Sequence, residues 1–319
     1  VPDNTPPGCW APVYVRTAGT ITSNAVTMSV NAQGAACATD AMTQTFLNGG
    51  KAAILTLART AVRQDVAVSA SSDITTDYFV YDLTQQKGGT FNFSPWFSLP
   101  PAGSCTIYGS GGDWTTKGLL NEASTATKLL DAGAFTITGP KGISGPQSLG
   151  PSSQAAHFGS SWSGSAFPNQ LYLDPGSYTV AAAGGADVPA FQTKVTIPPP
   201  FTWTNRDQLG LIDRTQPLNI VWTGAAAGQS LAIVGAATDL PTNASAVFIC
   251  VAPSGASSFT VPPAVLSALP ASRSNPNQSK AAIYVGNPGI ANATPFSATG
   301  LDAGAVTSIY SSGKTVTLK

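Results

Sequence analysis

Short apolar runs separated by turn-forming residues limit what this chain can fold into. Segments such as "APVYVRT", "AVTMSV", "AAILTLART", "DYFVYDL", "SCTIYG", "AFTITG", "SYTVAAA", "LNIVWTG", "AVFICVA" and "AAIYVG" are rich in Val, Ile, Thr and aromatics, and Gly, Pro, Asn or Asp bound them. Side chains of that kind suit a pleated, half-buried surface, and the bounding residues close turns. With 32 Gly and 25 Pro as punctuation, the pattern predicts an all-β chain of antiparallel Ig-like sandwiches rather than βαβ units. Helical periodicity is nearly absent. "TKGLLNEASTATKLLDAG" predicts a turn or two of helix over Leu119 to Leu130. "PPAVLSALPAS" predicts a short helix with Pro263 in its first turn and Val265, Leu266 and Leu269 on one face.

A chain of 319 residues exceeds what one core usually serves, so two or three tandem domains are expected. Divisions fall at "SLPPAGS" (Ser98 to Ser104) and "IPPPFTW" (Ile197 to Trp203), where prolines interrupt the strands. They delimit an N-terminal β domain over 1–103, a middle sandwich over 104–199 and a C-terminal Ig-like sandwich over 200–319, the last two able to share a core. "LDAGAFTITG" from Leu130 echoes "LDAGAVTSIY" from Leu301, and "LDPGSYTVAA" from Leu173 echoes both more loosely. Duplicated architecture and repeated turn chemistry explain the echo equally well.

Only 9% of residues are charged, and fifteen basic and fifteen acidic residues cancel, against about 25% charged in ordinary soluble domains. No positive stripe is available for a phosphate backbone, so no nucleic acid partner is expected. No run approaches the roughly 18 apolar residues of a membrane helix. Weak self-repulsion permits ordered self-association, which makes a second copy of the chain the expected partner. The chain starts at Val1 rather than Met, which predicts a removed leader and an extracellular or cell-surface location.

Four cysteines fit an oxidising compartment. A hairpin with strands Ala11 to Thr17 and Asn24 to Val30, turning near Gly19, would pair positions summing to the low forties and bring Cys9 close to Cys37. Cys105 and Cys250 then pair by elimination, although Cys250 also reads as a buried free thiol. No Cys/His spacing suits zinc.

Catalytic groups are scarce. The only histidine, His157, lies in the polar stretch "SSQAAHFGSSWSGS", and the serines around it form no nucleophile elbow. Glu122 is the sole glutamate, so any carboxylate pair must use aspartates. Asp73, Asp77 and Asp82 are the densest acidic group. Strand alternation splits them between two faces, which favours solvation over calcium coordination. "GSGGDW" and "GGADVPAF" read as tight turns, with Asp113 and Asp187 bonding their own turns. Trp203 and Trp222 read as core aromatics, whereas Trp96 and Trp162 are candidates for exposed contacts, including stacking on a polysaccharide. Sequons occur at Asn92, Asn243, Asn277 and Asn292. Nothing calls for a cofactor or a metal.

The opening "GCWAPVYVRTAGTITSNAVTMSV" resembles the closing strands of IPT/TIG-like immunoglobulin-fold domains of bacterial secreted proteins. From "LDAGAFTITGP" through "FSATGLDAGAV" the chain resembles uncharacterised surface proteins of acidobacterial type. The resemblance implies an extracellular, Ig-like setting, with no activity and no functional residue to carry over. It also implies that the sequence starts near the last hairpin of such a domain, without the strands that precede it. The expected function is a non-enzymatic structural subunit of an extracellular assembly, a filament, tube or surface layer, with its N-terminal strands either added to another protomer's sheet or packed as a hairpin within the chain. The alternative is a monomeric adhesion or carbohydrate-binding module using Trp96 or Trp162.

Overall fold

The computed structural model describes residues 8–13, 15–17, 21–22, 26–30, 41–65, 71–86, 99–110, 126–147, 171–289 and 293–319. Strand dominates them, as the alternation of β-formers and turn residues dictates. The N-terminal hairpin comprises β1 (Gly8–Val13), β2 (Arg16–Thr17), β3 (Ile21–Thr22) and β4 (Val26–Val30), with β1 paired to β4 and β2 to β3. A helix, α1 (Ala41–Asn48), leads into two long arms, β5 (Lys51–Asp65) and β6 (Ser71–Gln86). Next come β7 (Ser104–Ser110) and β8 (Ala126–Leu129). The following four strands, β9 (Phe135–Gly139), β10 (Gly142–Gln147), β11 (Gly176–Ala182) and β12 (Phe191–Ile197), form a sheet of their own, ordered β10-β9-β11-β12.

Beyond the proline run lie β13 (Thr202–Trp203), β14 (Leu211–Ile212), β15 (Leu218–Thr223), β16 (Ala232–Asp239), β17 (Ala244–Val251) and β18 (Ser258–Val261). The helix α2 (Pro263–Leu266) then precedes β19 (Ser279–Gly286), β20 (Thr294–Phe296), β21 (Ala303–Thr315) and β22 (Thr317–Leu318). A small sheet runs β13-β15-β18, and β14 pairs with β22. The main sheet runs β2-β3-β7-β17-β16-β19-β21-β5-β6-β8, with β20 added on β21.

Register puts two cores on one face of this sheet. Ile283 and Val285 oppose Lys314 and Ser312 on β21, and Val306, on that same face of β21, opposes Leu55 on β5. Over β5 and β6, Leu55, Leu57, Phe79, Tyr81 and Leu83 pack against Phe135, Ile137, Tyr178 and Val180 of the four-stranded sheet. Over β7, β16, β17 and β19, Ile233, Phe248 and Ile283 pack against Trp203, Ile220 and Trp222 of the small sheet. Val265, Leu266 and Leu269 close that second core, as the one-face spacing after Pro263 anticipates. The opposite face carries α1 over β5, β6 and β21 and a small cluster of Ala236, Val247 and Ile249.

Four expectations are corrected. The divisions at 103 and 199 do not separate sheets: β7, just past the first, pairs with β17, while β5, before it, pairs with β21. The first proline-rich segment leads from β6 back into the same main sheet at β7, and the second leads from the four-stranded sheet at β12 to the small sheet at β13. The pairing is not wholly antiparallel, because β21–β5, β3–β7 and β14–β22 are parallel. The tail of the stretch expected as helix over Leu119 to Leu130 is instead an edge strand, Ala126–Leu129, drawn onto β6 by the ladder; positions 119–125 lie outside the described residues. The N-terminal hairpin registers with Val13 opposite Val26 and Arg16 opposite Thr22, sums of 39 and 38 rather than the low forties.

Candidate functional site

Asp77 fastens the four-stranded sheet to the main one. Its position on β6 opposite Arg59 makes a cross-strand ion pair, with Arg59 Nε donating to Oδ1 at 2.6 Å and Nη2 to Oδ2 at 2.8 Å. Oδ2 also accepts the backbone N–H groups of Tyr172 (2.6 Å) and Leu173 (2.7 Å). Asp77 is 3% exposed. Burial raises its pKa, but the Arg59 bonds and the two backbone donors more than offset this and hold it below the ordinary carboxylate range. Tyr178 completes the joint, its hydroxyl donating to the carbonyls of Tyr172 (3.0 Å) and Asp174 (2.9 Å). Solvation of this aspartate was expected; the structure instead buries it in an ion pair.

The remaining polar clusters serve similar ends. Asp131 accepts the N–H of Gly133 at 2.8 Å and of Ala186 at 3.2 Å. Asp187 accepts the N–H of Asp131 at 3.0 Å and pairs with Lys128, so it braces a loop 56 residues away rather than its own turn. Asp239, buried at the end of β16, pairs through both oxygens with Arg273 and accepts the Thr242 hydroxyl. These bonds, the Arg273 contribution first, hold it down to about 2. Asp73 sits in an exposed group with Arg63, Arg206 and Asp207.

A shallow groove of 470 Å³ is lined by Asp213, Arg214, Thr215, Pro263, Ala264, Ser267 and Lys319. Its polar groups are already engaged: Thr215 donates to Asp213 through backbone and hydroxyl, and Arg214 donates to the carbonyls of Leu269 and Lys319. Among the described residues no cluster of three His, Cys, Asp or Glu could hold a metal. No helix among them is long and apolar enough to cross a membrane.

Cys105 and Cys250 are directly opposite on β7 and β17 and form a disulfide with an S–S distance of 2.01 Å. Both are fully buried in the core beneath the small sheet. Trp203 and Trp222 face each other across β13 and β15 in that core. The side chains of Cys9, Cys37, Trp96, Trp162, His157, Glu122 and Asp113 lie outside the described residues.

Large apolar side chains are exposed singly at Ile74, Leu171, Leu211 and Leu240, and as a group at the N-terminal hairpin. Val13 is 36% exposed, Val15 68% and Met28 40%. All three belong to the N-terminal hairpin. Among the described residues β1 and β4 pair only with each other. The hairpin joins the body through β3, whose Ile21 and Thr22 lie parallel to Cys105 and Thr106. Ile21 packs on the disulfide-bearing core, so this attachment is anchored at its base and apolar at its far end.

No protein-family model, curated protein or solved structure matches the chain.

Proposed function

We propose that this protein is a non-enzymatic structural subunit of an extracellular assembly, a filament, tube or surface layer, whose copies join at the N-terminal hairpin by strand addition. The observation carrying this reading is the β1–β4 pair, two-stranded among the described residues, with Val13 and Met28 exposed on it and Val15 exposed just beyond β1. Two strands alone are marginal in water, and an edge with apolar side chains is a template for another strand. The layering of smaller sheets on a larger one supports an Ig-like sandwich ancestry, and the buried disulfide supports an oxidising compartment. Ion pairs that bind loops and sheets together, as at Asp77 and Asp239, suit a rigid building block.

Sedimentation velocity and electron microscopy over rising concentration test the proposal. Polymer is expected from the full chain, with none after removal of residues 1–30. A chain that stays monomeric throughout, or polymerises equally without the hairpin, overturns it.

A further inference from the structure

Asp82 has no evident place in the joints described above. It lies on β6 opposite Ile54, and strand alternation turns it away from the face that carries Phe79, Tyr81 and Leu83. Its Oδ1 is excluded from solvent and has no hydrogen-bond partner. The helix α1 contacts β5, β6 and β21, and none of its side chains joins the core of Phe79, Tyr81 and Leu83, which leaves it on the face that Asp82 occupies.

Nothing charged among the described residues on that face compensates it. The helix α1, AMTQTFLN, has no ionisable side chain. On β5, Lys51, Arg59 and Arg63 share the alternation of Leu55 and Leu57 and so sit on the other face. There Arg59 meets Asp77, Arg63 meets Asp73, and Lys51 lies in the field of Asp187. On β8, Lys128 pairs with Asp187. Near the start of β21, Asp302 accepts the Lys51 N–H. Along β6 itself the titratable neighbour on this face is Tyr78, whose hydroxyl bonds Thr60. An ionised carboxylate with an unpaired oxygen is costly in such a setting, and the protonated acid is the favoured form. Burial pushes the group up to about 7, with its hydrogen bond to Thr84 opposing.

We propose that Asp82 is a pH-sensitive latch, its neutral acid holding α1 on the sheet and its ionisation loosening the helix. The sign follows from linkage. A carboxyl whose pKa is higher in the closed state than in the open one favours closure most at low pH. That advantage falls from the ordinary aspartate range until the closed-state value is passed.

Hydrogen exchange of the α1 amides in the full chain, corrected for intrinsic rate, reads this between pH 4.5 and 8. Protection is expected to fall about tenfold per pH unit and to level off near pH 7, and to be flat in Asp82→Asn. Equal pH profiles for the two chains, or a flat wild-type profile, overturn the proposal. If Asp82→Asn does not fold, carbon NMR titration of the wild-type carboxyl decides. A midpoint near 7 that tracks α1 exchange supports it, and a midpoint in the ordinary aspartate range overturns it.

Discussion

The two cores lie on one face of the same sheet yet are secured by different means. Over β16 to β19 the packing is mainly aliphatic, joined by a Trp pair and a buried disulfide that ties β7 to β17. Over β5 and β6 it is aromatic: Phe135 lies 4.8 Å from Tyr81 and 5.3 Å from Phe79 between ring centroids, and Phe191 stacks on Phe296 at 5.5 Å. There the fastening is Asp77, one carboxylate with four donors. Covalent closure is indifferent to pH, whereas an ionic joint is not. The core over β5 and β6, with its ionic joint buried, should therefore be the more acid-labile one.

The largest effect is expected from Asp77→Ala, which strands a guanidinium and two backbone donors in a buried joint and should cost about 3–5 kcal/mol. Urea unfolding followed by Tyr and Trp fluorescence measures it. If the loss is spread evenly over both cores, the two regions are not separately secured. The wild type carries the same test in its pH profile. Because the folded pKa of Asp77 is lowered, its contribution is full above the ordinary aspartate value and is lost as pH falls through the folded one. Below about pH 4, the four-stranded sheet should lose hydrogen-exchange protection before the disulfide-bearing core does.

Replacing Cys105 and Cys250 together by Ala probes the other side. The bond spans 145 residues, and its loss should lower stability by about 2–5 kcal/mol with the acid sensitivity unchanged. A weaker response is expected from Gly133→Ala. Gly133 sits at φ 76°, and a Cβ there would collide with the Gly184 carbonyl, for a loss of about 1–3 kcal/mol in thermal unfolding. Smallest of all, Arg206→Ala should change stability by less than about 1 kcal/mol, because the group it leaves is exposed.

What could be read from the residues alone follows the same division. The strands, the α2 plug and the core positions of Trp203 and Trp222 were legible because local alternation and turn chemistry carry them. Partnership was not. "LDAG" at Leu130 and at Leu301 illustrates why: Gly133 takes a positive φ in a loop held by Asp131, whereas Gly304 lies inside β21, opposite Ala53. Identical residues serve a turn in one place and a ladder in the other, since long-range pairing decides. Asp77 escaped notice as a joint because its two backbone donors come from residues more than ninety positions away. Alternation did place Asp82 on the opposite face from Asp77. The residue types AMTQTFLN gave no strong signal for α1, which is held by packing on the sheet.

The parallel union of β21 with β5 also has a temporal meaning. Ser311 hydrogen-bonds Thr60 across 251 positions, so β5 cannot acquire its β21 partner until the intervening chain has left the ribosome. During synthesis, and during any passage through a membrane, the β5–β6 hairpin waits with one long edge open. Contacts so distant in sequence form slowly, and open edges recruit whatever strand arrives first. Pairing of β5 is thus a race between the chain's own β21 and strands of neighbouring molecules, one in which dilution favours β21 and crowding disfavours it.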